Sequence, residues 1–196
     1  MKLLGKYYKM TEMLSSTFRY AIGAALTAAF LLIIPLLAEL ITDEMDWSVS
    51  DFIAAWILLF TSFFIYKLVS GKVRNFEYRA AVAVAVGTGL FLVWSNLAVG
   101  LIGNEDNSAN LMYIGVLAVG FLGAIIARLQ PKGMTRVLFA MAFAHLLITV
   151  IALILRLDLA PESSIIEILG VNGFFAVLWS GSALLFRNAA RDEAKL

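Results

Sequence analysis

Long apolar runs separated by short charged stretches organise this chain. Six such runs stand out, at about residues 20–41, 52–68, 80–102, 111–129, 137–155 and 165–186. A bilayer core of about 30 Å is crossed by roughly 20 apolar residues in a helix. The runs reach that length, and none alternates polar with apolar residues as the strands of a membrane barrel do. A backbone in hydrocarbon must satisfy its own hydrogen bonds, so the pattern predicts six transmembrane helices in an all-α bundle. The breaks between runs carry turn chemistry: Gly71-Lys72, Gly103-Asn104-Glu105-Asp106-Asn107, Gln130-Pro131-Lys132-Gly133 and Pro161-Glu162-Ser163-Ser164.

Residues 1–19 are too polar to span. Leu3, Tyr7, Met10, Leu14 and Phe18 fall on one helical face, flanked by Lys2, Lys6 and Lys9. That pattern predicts a short amphipathic helix lying on the membrane surface, with its lysines near anionic headgroups. The expected organisation is an interfacial segment over 1–19, a six-helix bundle over 20–186 and a polar tail over 187–196. The first run follows a basic stretch, as a signal peptide would, but it exceeds a typical signal core and is read as retained. The two halves of the chain share nothing beyond alternating hydrophobicity, so no duplication is inferred.

Composition agrees with membrane residence and removes several functions. Of 196 residues, 62% are hydrophobic and 15% charged, with a mean hydropathy of +0.91. Soluble domains carry about 45–50% apolar and about 25% charged residues. The absence of cysteine excludes disulfides, thiolate metal sites and thiol redox chemistry. The single histidine, His145, is a poor metal site without a second nitrogen or sulfur ligand. A net charge of +1 offers no bulk attraction to nucleic acid. No nucleophile elbow, HExxH, P-loop or dinucleotide fingerprint occurs. Trp179-Ser180-Gly181-Ser182 lacks a convincing base. A non-enzymatic protein with neither cofactor nor metal is expected.

Charge is segregated along the chain. Every Lys and Arg except Arg156 falls in the N-terminal segment, the second and fourth connections or the tail. The alternate connections collect Asp43, Glu44, Asp46, Asp51, Glu105, Asp106, Asp158 and Glu162. Cytoplasmic flanks retain positive charge during insertion, so both termini are expected in the cytoplasm. The acidic connections lack EF-hand spacing, and their charge follows from topology.

Association between helices in lipid relies on close packing of small residues, and five spans present such faces. These are Ala21/Ala25/Ala28/Pro35, Ala85/Gly89/Gly100, Gly120/Gly123/Ala124/Ala127, Ala142/Thr149/Ala152 and Ala176/Ser180/Ala183. The second span, with Phe60, Phe63, Phe64 and Ile65, reads instead as lipid- or partner-facing.

Glu39, Asn96, His145 and Asn172 each share a face with small residues and so are expected to point inward. Polar groups at that depth are costly unless partnered, which makes them candidates for an ion or solute pathway. At about 1.5 Å per residue, His145 falls near the midplane, with Asn96 and Asn172 about 10 Å inside the boundary. They could line an outward-opening pocket ending at the histidine. Each also has a structural reading: bonds between helices for Asn96 and His145, a bond to backbone at a weakened point of its own helix for Asn172, and a side chain reaching the surface for Glu39. Pro35 removes the donor for the Leu31 carbonyl and is expected to kink the first span. Ser164 and Glu167 have capping-box spacing.

The stretch from Trp94-Ser95-Asn96 through Gly103-Asn104-Glu105-Asp106-Asn107, continued by Asn110-Leu111-Met112-Tyr113, Ala127-Arg128 and Pro131-Lys132-Gly133-Met134, resembles a family of small bacterial inner-membrane proteins. No activity is assigned to that family. The resemblance covers mainly the third to fifth spans and implies a bacterial cytoplasmic membrane. The sequence thus favours an accessory or structural component of a homo-oligomer or larger membrane complex. A small-solute, ion or proton transporter is the alternative. The lipid bilayer and a further membrane-protein subunit are the expected partners.

Overall fold

The computed structural model of the chain describes residues 2–42, 47–71, 73–159 and 163–194; the side chains of residues 2–10, 12 and 13 lie outside that description. Seven α-helices are present among the described residues, with no strand. They are α1 (Lys2–Leu31), α2 (Ile33–Ile41), α3 (Val49–Ser70), α4 (Phe76–Ala98), α5 (Met112–Ala127), α6 (Pro131–Ile154) and α7 (Ile165–Glu193). Six helical stretches are long and apolar enough to cross a membrane, α1 and α2 together forming the first from Leu14.

The element boundaries differ from the sequence expectation for local reasons. Residues 2–31 form one continuous helix, so the expected short surface helix is not a separate element. Leu3, Tyr7 and Met10 of its apolar stripe lie outside the described side chains. Helix α4 stops at Ala98, because Gly100 (φ +74°) takes the left-handed conformation that ends a helix. Helix α6 starts at Pro131, where a proline's missing N–H costs nothing. Helix α7 continues to Glu193, so most of the expected tail is helical. Asp43, Glu44, Asp46 and Glu162 of the acidic connections lie outside the described residues.

The chain forms two compact units, Met1–Lys72 and Val73–Leu196. In the first, α1 packs against α3, with Ala24, Ala28 and Ala55 buried. Alanine lets two backbones approach closely; of the expected stripe Ala28 is fully buried and Ala21 and Ala25 half-buried, and Ala24 joins them. The break between α1 and α2 falls at Leu32, three residues before Pro35 and next to Leu31, whose carbonyl Pro35 leaves without its donor. Helix α3 begins with a capping box, Ser48 accepting from the Asp51 N–H while Asp51 accepts from the Ser48 N–H. Its aromatic side carries Trp56, Phe60 and Phe64 as a stacked ladder.

In the second unit α7 packs against both α4 and α6, and α5 packs on α6. The α5–α6 contact is made by glycine. A Cβ on Gly120 would lie 2.7 Å from Met141 Cε, and one on Gly123 would lie 2.6 Å from Val137 Cγ1. Gly89, on the corresponding face of α4, is different: its Cβ would meet Trp179 at an ordinary 3.8 Å. Polar ties supplement the packing. Ser182 donates to the Ala81 carbonyl at 2.8 Å, joining α7 to α4, and Tyr78 donates to the Leu129 carbonyl at 2.9 Å. Tyr78 therefore sets the start of α4 beside the end of α5. Arg74, Arg79, Arg128, Lys132, Arg136, Arg187 and Arg191 all belong to that end of the unit. Glu105, Asp106 and Asp158 belong to the other, where Arg156 is paired with Asp158 at 3.5 Å.

Gly120→Leu and Gly123→Leu should each destabilise the protein by about 1–3 kcal/mol through overpacking. Gly115→Leu, on the same helix with nothing within 4 Å of its Cβ, should be neutral or slightly stabilising. Thermal unfolding in detergent distinguishes the three, and equal stabilities would refute the α5–α6 packing.

Candidate functional site

Asn172 sits seven residues into α7, on the face that also carries Ile168, Phe175 and Ala176, and is fully buried. Its Nδ2 donates to the Ile168 carbonyl at 2.9 Å, within its own helix. That bond turns Oδ1 outward from α7, where Tyr113 Oη donates to it at 3.2 Å and His145 Nδ1 lies at 3.2 Å. A carbonyl oxygen only accepts, so the network assigns the histidine proton to Nδ1. One carboxamide thereby joins α5, α6 and α7.

His145 follows from the small-residue face of α6, where Met141, Ala142, Ile148, Thr149 and Ala152 are also buried. Its ring lies against Phe175, with centroids 5.3 Å apart and planes 12° from parallel, and is tilted against Tyr113 at 5.5 Å. Thr149 donates to the His145 backbone carbonyl, a bond within the helix. Nε2 is buried with no hydrogen-bond partner. With the proton on Nδ1, that nitrogen is a bare acceptor inside the unit. Trp179 Nε1 on α7 is a second buried group without a partner, a donor two helical turns beyond Asn172.

Asn96, expected to join this cluster, stands apart from it. It lies near the end of α4, half-buried, and donates to the Asn110 carbonyl at 3.2 Å. Asn110 organises the connection from α4 to α5. Its Oδ1 accepts from the Leu101 and Ile102 N–H groups at 2.9 Å each, and its Nδ2 donates to the Asn104 carbonyl at 2.8 Å. The turn closes so tightly that a Cβ on Gly100 would lie 2.8 Å from Asn110 Nδ2. This wrapped loop forms one end of an open cleft of about 590 Å³ whose walls are α4 and α5. Asn96, Glu105, Asp106 and Tyr113 all line it. His145 and Asn172 do not, and Tyr113 stands between them and the cleft.

Glu39 belongs to the other unit. Its Oε2 accepts from the Trp47 backbone N–H at 3.0 Å, across the connection from α2 to α3. The carboxylate therefore satisfies a backbone donor next to a helix start. Of the capping box expected at Ser164 and Glu167 the serine half forms, Ser164 Oγ accepting from the Glu167 N–H at 3.2 Å at the start of α7. Ser182, in the serine-glycine segment near the end of α7, has its hydroxyl engaged by Ala81. Among the described residues no three His, Asp or Glu side chains come together as a metal-binding group.

Two residues that position the site were not singled out by sequence reasoning. Tyr113 reads as an ordinary span-end aromatic, and Asn110 as one polar residue in a polar loop. Glycines at Gly100 and Gly103, both with positive φ, are the signal that could have marked a loop folded around a side chain. Comparison with known protein families, characterised proteins and solved structures gives no match.

The geometry ranks three substitutions. Asn172→Ala leaves two buried donors unpaired and should cost about 1–3 kcal/mol or more. Tyr113→Phe removes one donor from a shared acceptor, a loss nearer the roughly 0.6 kcal/mol typical of interhelical bonds in membranes. Trp179→Phe removes a donor that has no partner but empties part of a fully buried indole site, so its cost is that of a cavity and should exceed the loss from Tyr113→Phe. Unfolding in detergent measures the order, and a Tyr113→Phe loss larger than that of Asn172→Ala would contradict the hub assignment.

Proposed function

We propose that the protein is a non-enzymatic multi-pass membrane protein, an accessory or structural component of a homo-oligomer or larger assembly. We place it in a bacterial cytoplasmic membrane with both termini in the cytoplasm. One observation carries this reading. Two of the polar residues that would serve a pathway, His145 and Asn172, are bonded into a tie between helices, and Tyr113 stands between them and the cleft. Two further open clefts, of about 650 and 430 Å³, lie near Gln130 and Lys132 at the opposite end. None of the three clefts is lined by His145 or Asn172. The basic character of the Gln130–Lys132 end supports the orientation through the retention of positive charge.

A transporter is the second reading, favoured by the unpartnered Nε2 of His145 behind a cleft that carries Asn96 and Tyr113. Native purification in mild detergent separates the two. An accessory protein should co-purify with a stoichiometric partner or as a defined oligomer, and its proteoliposomes should be tight to ions and protons. A lone monomer giving pH-dependent flux that His145→Ala abolishes would overturn the accessory reading in favour of transport.

Orientation has its own test. An impermeant thiol reagent applied to intact cells should label Asp106→Cys and spare Lys132→Cys, and the reverse pattern would invert the topology.

A further inference from the structure

We propose that the cleft between α4 and α5 binds a small, free amphipathic ammonium ion. The inference goes beyond the accessory role and is compatible with either functional reading.

The cleft has two kinds of wall. Leu92 and Leu97 on α4 face Ile114 and Leu117 on α5 across its apolar part. At the loop end it carries Glu105 and Asp106, both exposed and neither ion-paired among the described residues. Arg156, the sole basic residue in the connections expected on this side, is held by Asp158. The rim is therefore negative and uncompensated. Its neutral polar group points the same way. Asn96 Nδ2 is engaged by the Asn110 carbonyl, which leaves Oδ1 as an acceptor. The occupant that complements both walls carries positive charge and N–H donors at one end and apolar surface at the other. An ammonium group on a short hydrocarbon tail has those features.

Other occupants fit less well. A divalent cation takes six or more oxygen ligands, several from protein, and two exposed carboxylates beside a leucine wall do not form such a cage. An anion meets the wrong charge, and a neutral alcohol leaves both carboxylates uncompensated. A bilayer lipid brings acyl chains that fill half of a core about 30 Å thick. The apolar wall from Leu111, which precedes α5, to Leu117 on it spans only about 9 Å at the helical rise. The volume of about 590 Å³ lies within the range of roughly 300–1,000 Å³ for small-molecule sites.

The chain lacks cysteine, so Ser108→Cys places a single thiol on the cleft lining. Lys132→Cys, at the opposite end, serves as the reference. Each variant is placed in phosphatidylcholine nanodiscs and its rate of modification by an impermeant maleimide is measured against n-octylammonium or 1-octanol. The expected result is saturable protection of Ser108→Cys by octylammonium, with no protection by octanol and an unchanged rate at Lys132→Cys. Adding Glu105→Gln and Asp106→Asn should raise the half-protecting concentration about tenfold, the loss expected for two exposed charge pairs. Ile114→Trp, which fills the apolar part, should abolish protection in a protein whose unfolding temperature is retained. Equal protection by octanol, equal slowing at Lys132→Cys, or indifference to the two rim substitutions would each overturn the proposal. Protection by phosphatidylethanolamine nanodiscs without octylammonium would assign the cleft to a lipid headgroup and overturn it as well.

Discussion

A single carboxamide oxygen holds the centre of the larger unit. Asn172 Oδ1 lies 3.2 Å from both Tyr113 Oη and His145 Nδ1, so three helices converge on one acceptor. In water such bonds would exchange with solvent, but in a lipid-embedded interior the alternative is an unsatisfied polar group, which is costly. The position of the acceptor is itself fixed, because Asn172 Nδ2 is bonded to the Ile168 carbonyl in the preceding turn of α7. Once Oδ1 is aimed, the rotamers of Tyr113 and His145 follow. The ring of Phe175, stacked on the imidazole, closes the same layer. Small residues then allow the helices close enough for these bonds to form, with Gly120 and Gly123 seated against Met141 and Val137.

The same logic, applied at the end of the unit, shapes the cleft. A loop that reverses direction at the edge of a membrane must satisfy its backbone groups without a helix. Asn110 does this by accepting two N–H groups and donating to the Asn104 carbonyl. Its own carbonyl accepts from Asn96. The loop is thereby fixed against α4, and its acidic residues are held at the mouth of a cleft rather than spread over a surface. Tyr113 is common to both layers, its side chain lining the cleft while its hydroxyl reaches Asn172. A ligand seated beside Tyr113 would be one hydrogen bond away from the tie between α5, α6 and α7.

The parts of this arrangement that depend on periodicity were legible in the sequence. The inward faces of α6 and α7, with His145 and Asn172 on them, follow from small residues at helical spacing, and so do the glycines of α5. The break before Pro35 and the cap at Ser164 follow from local chemistry. What escaped reading depends on geometry that spacing does not carry. Glycine at position 89 looks equivalent to glycine at 123, but the facing side chain is the far edge of Trp179 in one case and Val137 in the other. Asn96 shares a helical face with Gly89 and Gly100, but its depth on α4 puts it beside Asn110 and not beside His145. Tyr113 escaped because a tyrosine at a span end usually sits at the headgroup level. For Glu39 the sequence predicts a pathway lining or a side chain reaching the surface, and the acceptor role it has towards the Trp47 N–H needs the fold of the following connection.

The proton on His145 tests this account most directly. The chain contains one histidine, so protein labelled with nitrogen-15 in that residue gives one pair of ring signals by nuclear magnetic resonance. If Asn172 Oδ1 is the shared acceptor, Nδ1 must carry the hydrogen and Nε2 must be a bare, pyridine-type nitrogen. In Asn172→Leu that preference should be lost. A wild-type spectrum with the proton on Nε2 and a bare Nδ1 would contradict the hub and the packing derived from it.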